Sequence, residues 1–314
     1  MSKAQNSSDT FDIRDAFFDS LYEIASKDEK VMFLTADMDA VSLRKFREGL
    51  KKQYINVGIA EQNLVSVAAG LALGGRKVFI YAIASFMTQR CYEQIKVDIC
   101  GMRLPVAIIG AGPGITYNSD GFTHHAIEDI AIMRALGGMT IFNPSDPGTA
   151  AVAASLAVKS KAPFYVRIDK GMFPFLYRKD QDFEKGLSVL KDGKDILIIA
   201  TGVMVHQALV VAEELLNHSI DAAVVDLYRI KPVNSKMLLK LIERIPRVIT
   251  LEEHSIVGGI GSVVGEIIID AGKSALLKRI AILEDCRLGY GSREWMRSSC
   301  GLDKKSIVDA IIGW

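Results

Sequence analysis

Glu61 heads a run that leaves a carboxylate almost no polar company. In NVGIAEQNLVSVAAGLALGG, residues 56–75, Asn56 and Gln62 are polar, but from Leu64 to Gly74 only Ser66 offers a side-chain hydrogen bond. A carboxylate removed from water must be neutralised, paired or hydrogen-bonded. Glu61 therefore either marks a helix start, where an acid suits the positive end of the helix dipole, or something else meets it. A second concentration of chemistry lies in GAGPGITYNSDGFTHHAIED, residues 110–129. Its glycines let backbone N–H groups approach a ligand. Asp120, Thr123, His124 and His125 follow, and an imidazole can carry a proton near neutral pH. An ordinary loop followed by a helix start, with Glu128 and Asp129 in its first turn, is the competing reading. The chain has no nucleophile elbow and no GxxxxGK phosphate loop. GGIGSVVG (258–265) has the look of a dinucleotide fingerprint, but a lone glycine pattern of this kind is weak.

The elements that must position these residues show in the hydrophobic pattern. VMFLTA (31–36), YINV (54–57), KVFIYAI (77–83), LPVAIIGAG (104–112), MTIFNP (139–144) and PFYVRI (163–168) read as strands. Helical spacing fills 11–25, 42–51, 61–73, 86–99, 125–136 and 146–159. Residues 171–193 lack periodicity. The alternation then restarts with DILIIATG (195–202), DAAVVDLY (221–228), RVITLEEH (247–254) and RIAILED (279–285), with helices at 204–217, 234–244, 259–271 and 303–312. Such alternation implies right-handed crossovers and a mainly parallel sheet in each block. We expect an α/β protein of two doubly wound domains, 10–170 and 194–314, joined by a linker at 171–193. The helix at 61–73 is apolar on nearly every face and is expected to be buried, at a subunit interface. Ligands bind beyond the carboxyl ends of the strands in such sheets. The polar clusters AD (36–37), 110–124 and LEEHSIVGGIG (251–261) fall there.

The totals exclude other classes. The 314 residues carry 38 basic and 37 acidic side chains, net +1, with no long charged run to face nucleic acid or a membrane. The longest apolar runs fall short of the roughly 20 residues that span a bilayer, and the polar start MSKAQNSSD lacks the core of a signal peptide. Cys91, Cys100, Cys286 and Cys300 show no metal-ligand spacing and are expected to be reduced. The expectation is a soluble cytoplasmic chain.

Taken together, GIAEQNLVSVAAGLALGG, DGFTHHAIEDIAIMRAL, FNPSD and LEEHSIVGGIG, in this order, resemble the C-terminal half of the transketolases, thiamine-diphosphate enzymes, over about residues 10–314. The resemblance implies a pyrimidine-binding domain followed by the family's C-terminal domain, and transfer of a two-carbon ketol unit from a ketose to an aldose, phosphorylated or not. It implies that Glu61 hydrogen-bonds a ring nitrogen of the cofactor's aminopyrimidine and activates it, while the cofactor serves as electron sink. Asp120 and His124 fall on the family's DGxTH motif, whose acid and histidine contact sugar hydroxyls. Arg14 matches an arginine that binds the substrate phosphate, and Asp37 the acid of an AD motif near the cofactor. Phe86 stands where an aromatic stacks on the pyrimidine; Met87 competes for that place, and a core aromatic is the alternative for Phe86. Lys170 falls near a second phosphate-binding arginine and presents a point charge instead of a planar fork. Arg167 nearby assists it or caps the strand end. GAGPG replaces a loop that carries a histidine in many members, and NSDG replaces GEDG, so the sugar stays open.

Full transketolases hold the diphosphate through magnesium with a GDG motif and a downstream asparagine. No GDG occurs here. The resemblance therefore implies a partner subunit that carries the diphosphate-binding half and ligates Mg2+, no metal ligand on this chain, and an α2β2 heterotetramer. A deoxyxylulose-phosphate-synthase-like or 2-oxo-acid dehydrogenase beta-type subunit is the near alternative; from another class comes a non-catalytic partner subunit.

Overall fold

Short runs of apolar residues without polar alternation become strands covered on both faces, as crossover helices require. VMFLT is buried at all five positions and ILIIA likewise. In the computed structural model, which describes residues 10–177, 181–286 and 288–314, such strands build two compact units.

The first unit comprises residues 10–113 and 135–182. Along the chain come β1 (Thr10–Asp12), α1 (Ile13–Ala25), β2 (Val31–Thr35), α2 (Leu43–Gly49), β3 (Tyr54–Asn56), α3 (Glu61–Leu73), β4 (Lys77–Ile83), α4 (Tyr92–Gln94) and β5 (Val106–Ala111). After α5 (Asp129–Ala135) follow β6 (Thr140–Phe142), α6 (Pro147–Lys159), β7 (Phe164–Ile168) and β8 (Met172–Pro174). The sheet runs β6-β7-β5-β4-β2-β3, with every one of these pairs parallel. The FNPSD motif has a mechanical role here. Asp146 caps α6 by accepting from the Thr149 N–H at 2.7 Å, Pro147 fits the first turn, and the second carboxylate oxygen accepts from the Leu176 N–H at 2.7 Å. Asp146→Ala is expected to lower the unfolding free energy by about 2 kcal/mol in urea titration. An unchanged midpoint would show that α6 starts without its cap.

The second unit comprises Gly114–Arg134 together with residues 183–314. It holds β9 (Ser188–Lys191), β10 (Ile196–Ala200), α7 (Met204–Leu216), β11 (Ala222–Asp226), the short β12 (Arg229–Lys231), α8 (Ser235–Arg244), β13 (Arg247–Ser255), α9 (Ile260–Asp270), β14 (Leu276–Ile282), α10 (Arg293–Ser299) and α11 (Lys304–Ile312). Its sheet runs β14-β13-β10-β11-β9, parallel except for β9 at the edge. The α/β class with mainly parallel sheets is thus as expected.

Several local expectations fail for physical reasons. The 171–193 stretch is more than a linker: β8 pairs antiparallel with β1, and β9 with β11. Strands of three or four residues are too short to show a period of two. The segment 114–134, assigned by sequence to the first domain, packs with the second unit. For α3 the expectation concerned burial against another subunit: within this chain the helix buries one side, through Leu64, Val65, Ala68 and Ala69, and leaves Gln62, Ser66, Gly70 and Leu73 exposed. Cys286 and Cys300, expected to be reduced, form a disulfide with Cα atoms 5.6 Å apart, inside the ordinary range. Cysteine usage therefore gives no support to a reducing compartment.

Candidate active site

Within the first unit, the loop after β3 delivers Glu61 to the first turn of α3 with Ala60 at the cap position, where no side chain caps the helix. Glu61 is 3% exposed. Its Oε2 accepts from Arg90 Nη1 at 2.7 Å, and the Arg90 guanidinium lies 4.3 Å from the centroid of the Phe86 ring. The expected α-helix at 86–99 is instead two wide π-helical segments, Phe86–Arg90 and Ile95–Cys100, around the single turn of α4. Met87, Cys91, Ile95 and Ile99, spaced by four, line its buried side. A strict four-residue repeat drifts off one face of a 3.6-residue helix, and wider turns keep it there. Of the two residues weighed for the stacking place, Met87 lies in the core and Phe86 turns its ring to Arg90. The Cys91 thiol donates to the Met87 carbonyl, and burial first, then the Glu61 charge, pushes its pKa up to about 12. It stays a neutral thiol.

The remaining candidates of this unit sit at strand ends. Asp37, exposed after β2, adopts a left-handed φ of 54° and exchanges hydrogen bonds of 3.1 Å with Asn56 at the end of β3. Asp12 gathers the anion-binding candidates. One carboxylate oxygen accepts from the Arg14 and Asp15 N–H groups, and the other accepts from the Gly171 N–H at 3.0 Å. The first turn of α1, with Arg14, and the turn with Lys170 are thereby drawn together. Burial works against the Arg14 charge, but Tyr81, Asp12 and Asp15 outweigh it and raise its pKa above the ordinary value. Arg167 is buried within β7, and the Lys170 N–H donates to Asp169 at 2.8 Å.

Within the second unit, Asp120 is exposed and His124 half-buried on one turn closed by the His124 N–H to the Gly121 carbonyl at 2.9 Å. His124 Nδ1 lies 3.0 Å from Thr123 Oγ1, and its ring meets the edge of Tyr117 at 5.9 Å. His125 is buried, which lowers its pKa, and neither ring nitrogen has a hydrogen-bond partner among the described residues. Asp129 lies buried with its Oδ1 3.9 Å from His254 Nε2.

The LEEHSIVGGIG cluster proves structural. The Glu252 carboxylate accepts from the Ile260 and Gly261 N–H groups at 2.7 and 2.9 Å. A Cβ at Gly259 would strike that carboxylate. The helix start that a dinucleotide pyrophosphate would use thus already holds the chain's own anion. Glu253 accepts from the Ile115 N–H at 2.9 Å and pairs with Arg293 at 2.8 Å and Arg297 at 2.5 Å. Burial opposes its charge, but the two arginines and the Ile115 N–H outweigh it and bring its pKa to about 2. Sequence reading singled out neither Arg90 nor Glu253. The available signals were a cation four residues after an aromatic in a helical run, and acids inside a run that otherwise reads as a buried strand.

Among the described residues, no group of three or more His, Cys, Asp or Glu is placed to hold a metal, and no helix is long and apolar enough to cross a membrane. Two mainly parallel α/β sheets, a buried acid at a helix start and a DGxTH loop are the features on which the resemblance to the thiamine-diphosphate enzymes rests. Residues 9–174 match the transketolase pyrimidine-binding domain and 186–307 the transketolase C-terminal domain. The chain belongs to the transketolase family, which depends on thiamine diphosphate. It is 33% identical to the 6-deoxy-6-sulfo-D-fructose transketolase subunit SqwH of Clostridium sp. (strain MSTE9), over 95% of this chain and 92% of that one. It is 37% identical to an apulose-4-phosphate transketolase subunit of Phocaeicola vulgatus, over 95% and 96%. A solved structure described as a split gene transketolase, inactive beta4 tetramer, superposes with a TM-score of 0.88 at 31% identity, covering 96% of this chain and 98% of that one.

Proposed function

We propose that this chain is the C-terminal subunit of a two-chain transketolase that moves a two-carbon ketol unit from a ketose to an aldose. The observation that carries this reading is the Glu61 corner. There a buried carboxylate is hydrogen-bonded to a flat, nitrogen-bearing cation that is stacked on an aromatic ring. An aminopyrimidine asks for the same two contacts, an acceptor at a ring nitrogen and a stacking face, so the residues present fit the aminopyrimidine end of thiamine diphosphate. When bound, the cofactor supplies an electron sink for cleavage of the ketose carbon–carbon bond.

The chain's own residues do the rest. Glu61 holds the shared proton at Oε2, while Arg90, 44% exposed, moves aside into water. Phe86 orients the ring, and Asp37 completes the cofactor's surroundings. Asp120 and His124 contact sugar hydroxyls, with His124 moving a proton. Arg14 and Lys170 receive an anionic end group, and Arg167 adds positive charge from β7. The names of the two relatives, a sulfofructose and a sugar phosphate, support a ketose with an anionic end. Both relatives are called subunits, which supports a partner chain. On this reading that partner carries the diphosphate clamp and the Mg2+ ligands, in an α2β2 cytoplasmic assembly. The exposed Ile59 and Leu73 at either end of α3 favour burial of that helix in the assembly.

The test compares the chain alone with the chain mixed with a subunit that carries a GDG motif and its downstream asparagine, both supplied with thiamine diphosphate and Mg2+. We expect cofactor retention and ketol transfer only in the mixture. Full turnover by the lone chain would refute the split-subunit reading, and a reconstituted mixture without ketol transfer would refute the reaction.

A further inference from the structure

The loop that carries Asp120 and His124 is tied to the rest of its unit at identifiable points. Its ends meet in an isolated antiparallel bridge between Gly114 and Ala126, and its interior includes turns closed by the Asp120 N–H to the Tyr117 carbonyl and the His124 N–H to the Gly121 carbonyl. Three further contacts come from one region of the same unit. The Ile115 N–H donates to Glu253, at the end of the buried part of β13. Asn118 Nδ2 donates to the Gly291 carbonyl at 2.5 Å. The Tyr290 ring lies against Gly121, so closely that a Cβ there would strike it, and Gly121 has a φ of +77° that disfavours any other residue. Gly121 follows Asp120 directly. Tyr290 and Gly291 lead into α10, whose Arg293 and Arg297 close on the same Glu253 carboxylate. Glu253 therefore ties the loop and the 290–297 strap together through one buried charge.

We propose that Tyr290 and the Glu253–Arg293–Arg297 cluster are positioning residues, which fix the DGxTH turn and so set the geometry with which Asp120 and His124 meet the sugar. Tyr290 is 76% exposed, so its ring gains little from burial, and its place on the turn is what the contact provides. The proposal rests on the proposed function only in taking Asp120 and His124 as sugar contacts.

The test has two readouts. Hydrogen exchange on the purified full chain should show amides 117–124 exchanging roughly tenfold faster in Tyr290→Ala and in Arg297→Ala, with 61–73 unchanged. Tyr290→Phe should restore protection. In the reconstituted complex, Tyr290→Ala should raise the KM for the ketose by roughly tenfold with kcat nearly kept. A uniform fall in protection over the whole unit, or none in the loop, overturns the positioning role. Loss of loop protection in a chain whose wild-type complex shows no ketol transfer supports the positioning role and sinks the functional reading instead.

Discussion

Glu61→Gln is expected to lower turnover of the assembled enzyme by about 10²–10⁴-fold, the usual worth of a positioned proton carrier, and to leave the chain folded. Glutamine keeps the shape and one acceptor oxygen but can neither ionise nor share a proton. Folding is spared because the other half of the ion pair is half in water: Arg90 loses a partner without being stranded, whereas Glu61 is the member that burial penalises. A readout independent of turnover is available next door. The Glu61 charge is the second cause, after burial, that holds the Cys91 thiol up to about 12, so the variant's thiol should ionise at lower pH. Unimpaired ketol transfer by Glu61→Gln would remove Glu61 from the chemistry.

The largest expected effect on stability belongs to Glu253. Glu253→Gln leaves two arginines facing a neutral amide in a buried site, and breaking such a pair typically costs about 3–5 kcal/mol. The pH dependence follows from the direction of the shift. Folded Glu253 titrates near 2 against an ordinary 4.5. Its contribution is therefore complete above the ordinary value and fades as pH falls towards 2. Urea titrations at about pH 7 and about pH 3 should show the gap between wild type and Glu253→Gln narrowing at the lower pH. A gap of the same size at both would mean that shape, not charge, holds the site.

What the sequence reveals follows the length scale of each signal. VMFLT, KVFIYAI and DILIIATG announce buried parallel strands because burial on both faces needs only continuous apolar residues. β8 and β9 escape because three or four residues stabilised by pairing carry no pattern of their own. The disulfide escapes because α10 turns the chain back towards Cys286, and no fixed spacing encodes that. At the candidate site, Glu61 stands out because an acid against an apolar run contradicts its surroundings. Arg90 does not, since an arginine in SFMTQRCYEQIK reads as an ordinary exposed residue until the wide helical turns set it over Phe86. LEEHSIVGGIG is visible as a cluster but not as a division of labour: Glu252 caps α9, Glu253 holds a loop, and His254 faces Asp129.

The ion pair between Arg90 and Glu61 also sets a competition. A carboxylate buried at a helix start without a partner would penalise the folded chain. With Arg90 bonded to it, the chain balances that charge on its own. On the proposed reading, an aminopyrimidine reaches Glu61 only by displacing a cation the chain itself supplies, and the half-exposed position of Arg90 gives that cation water to move into.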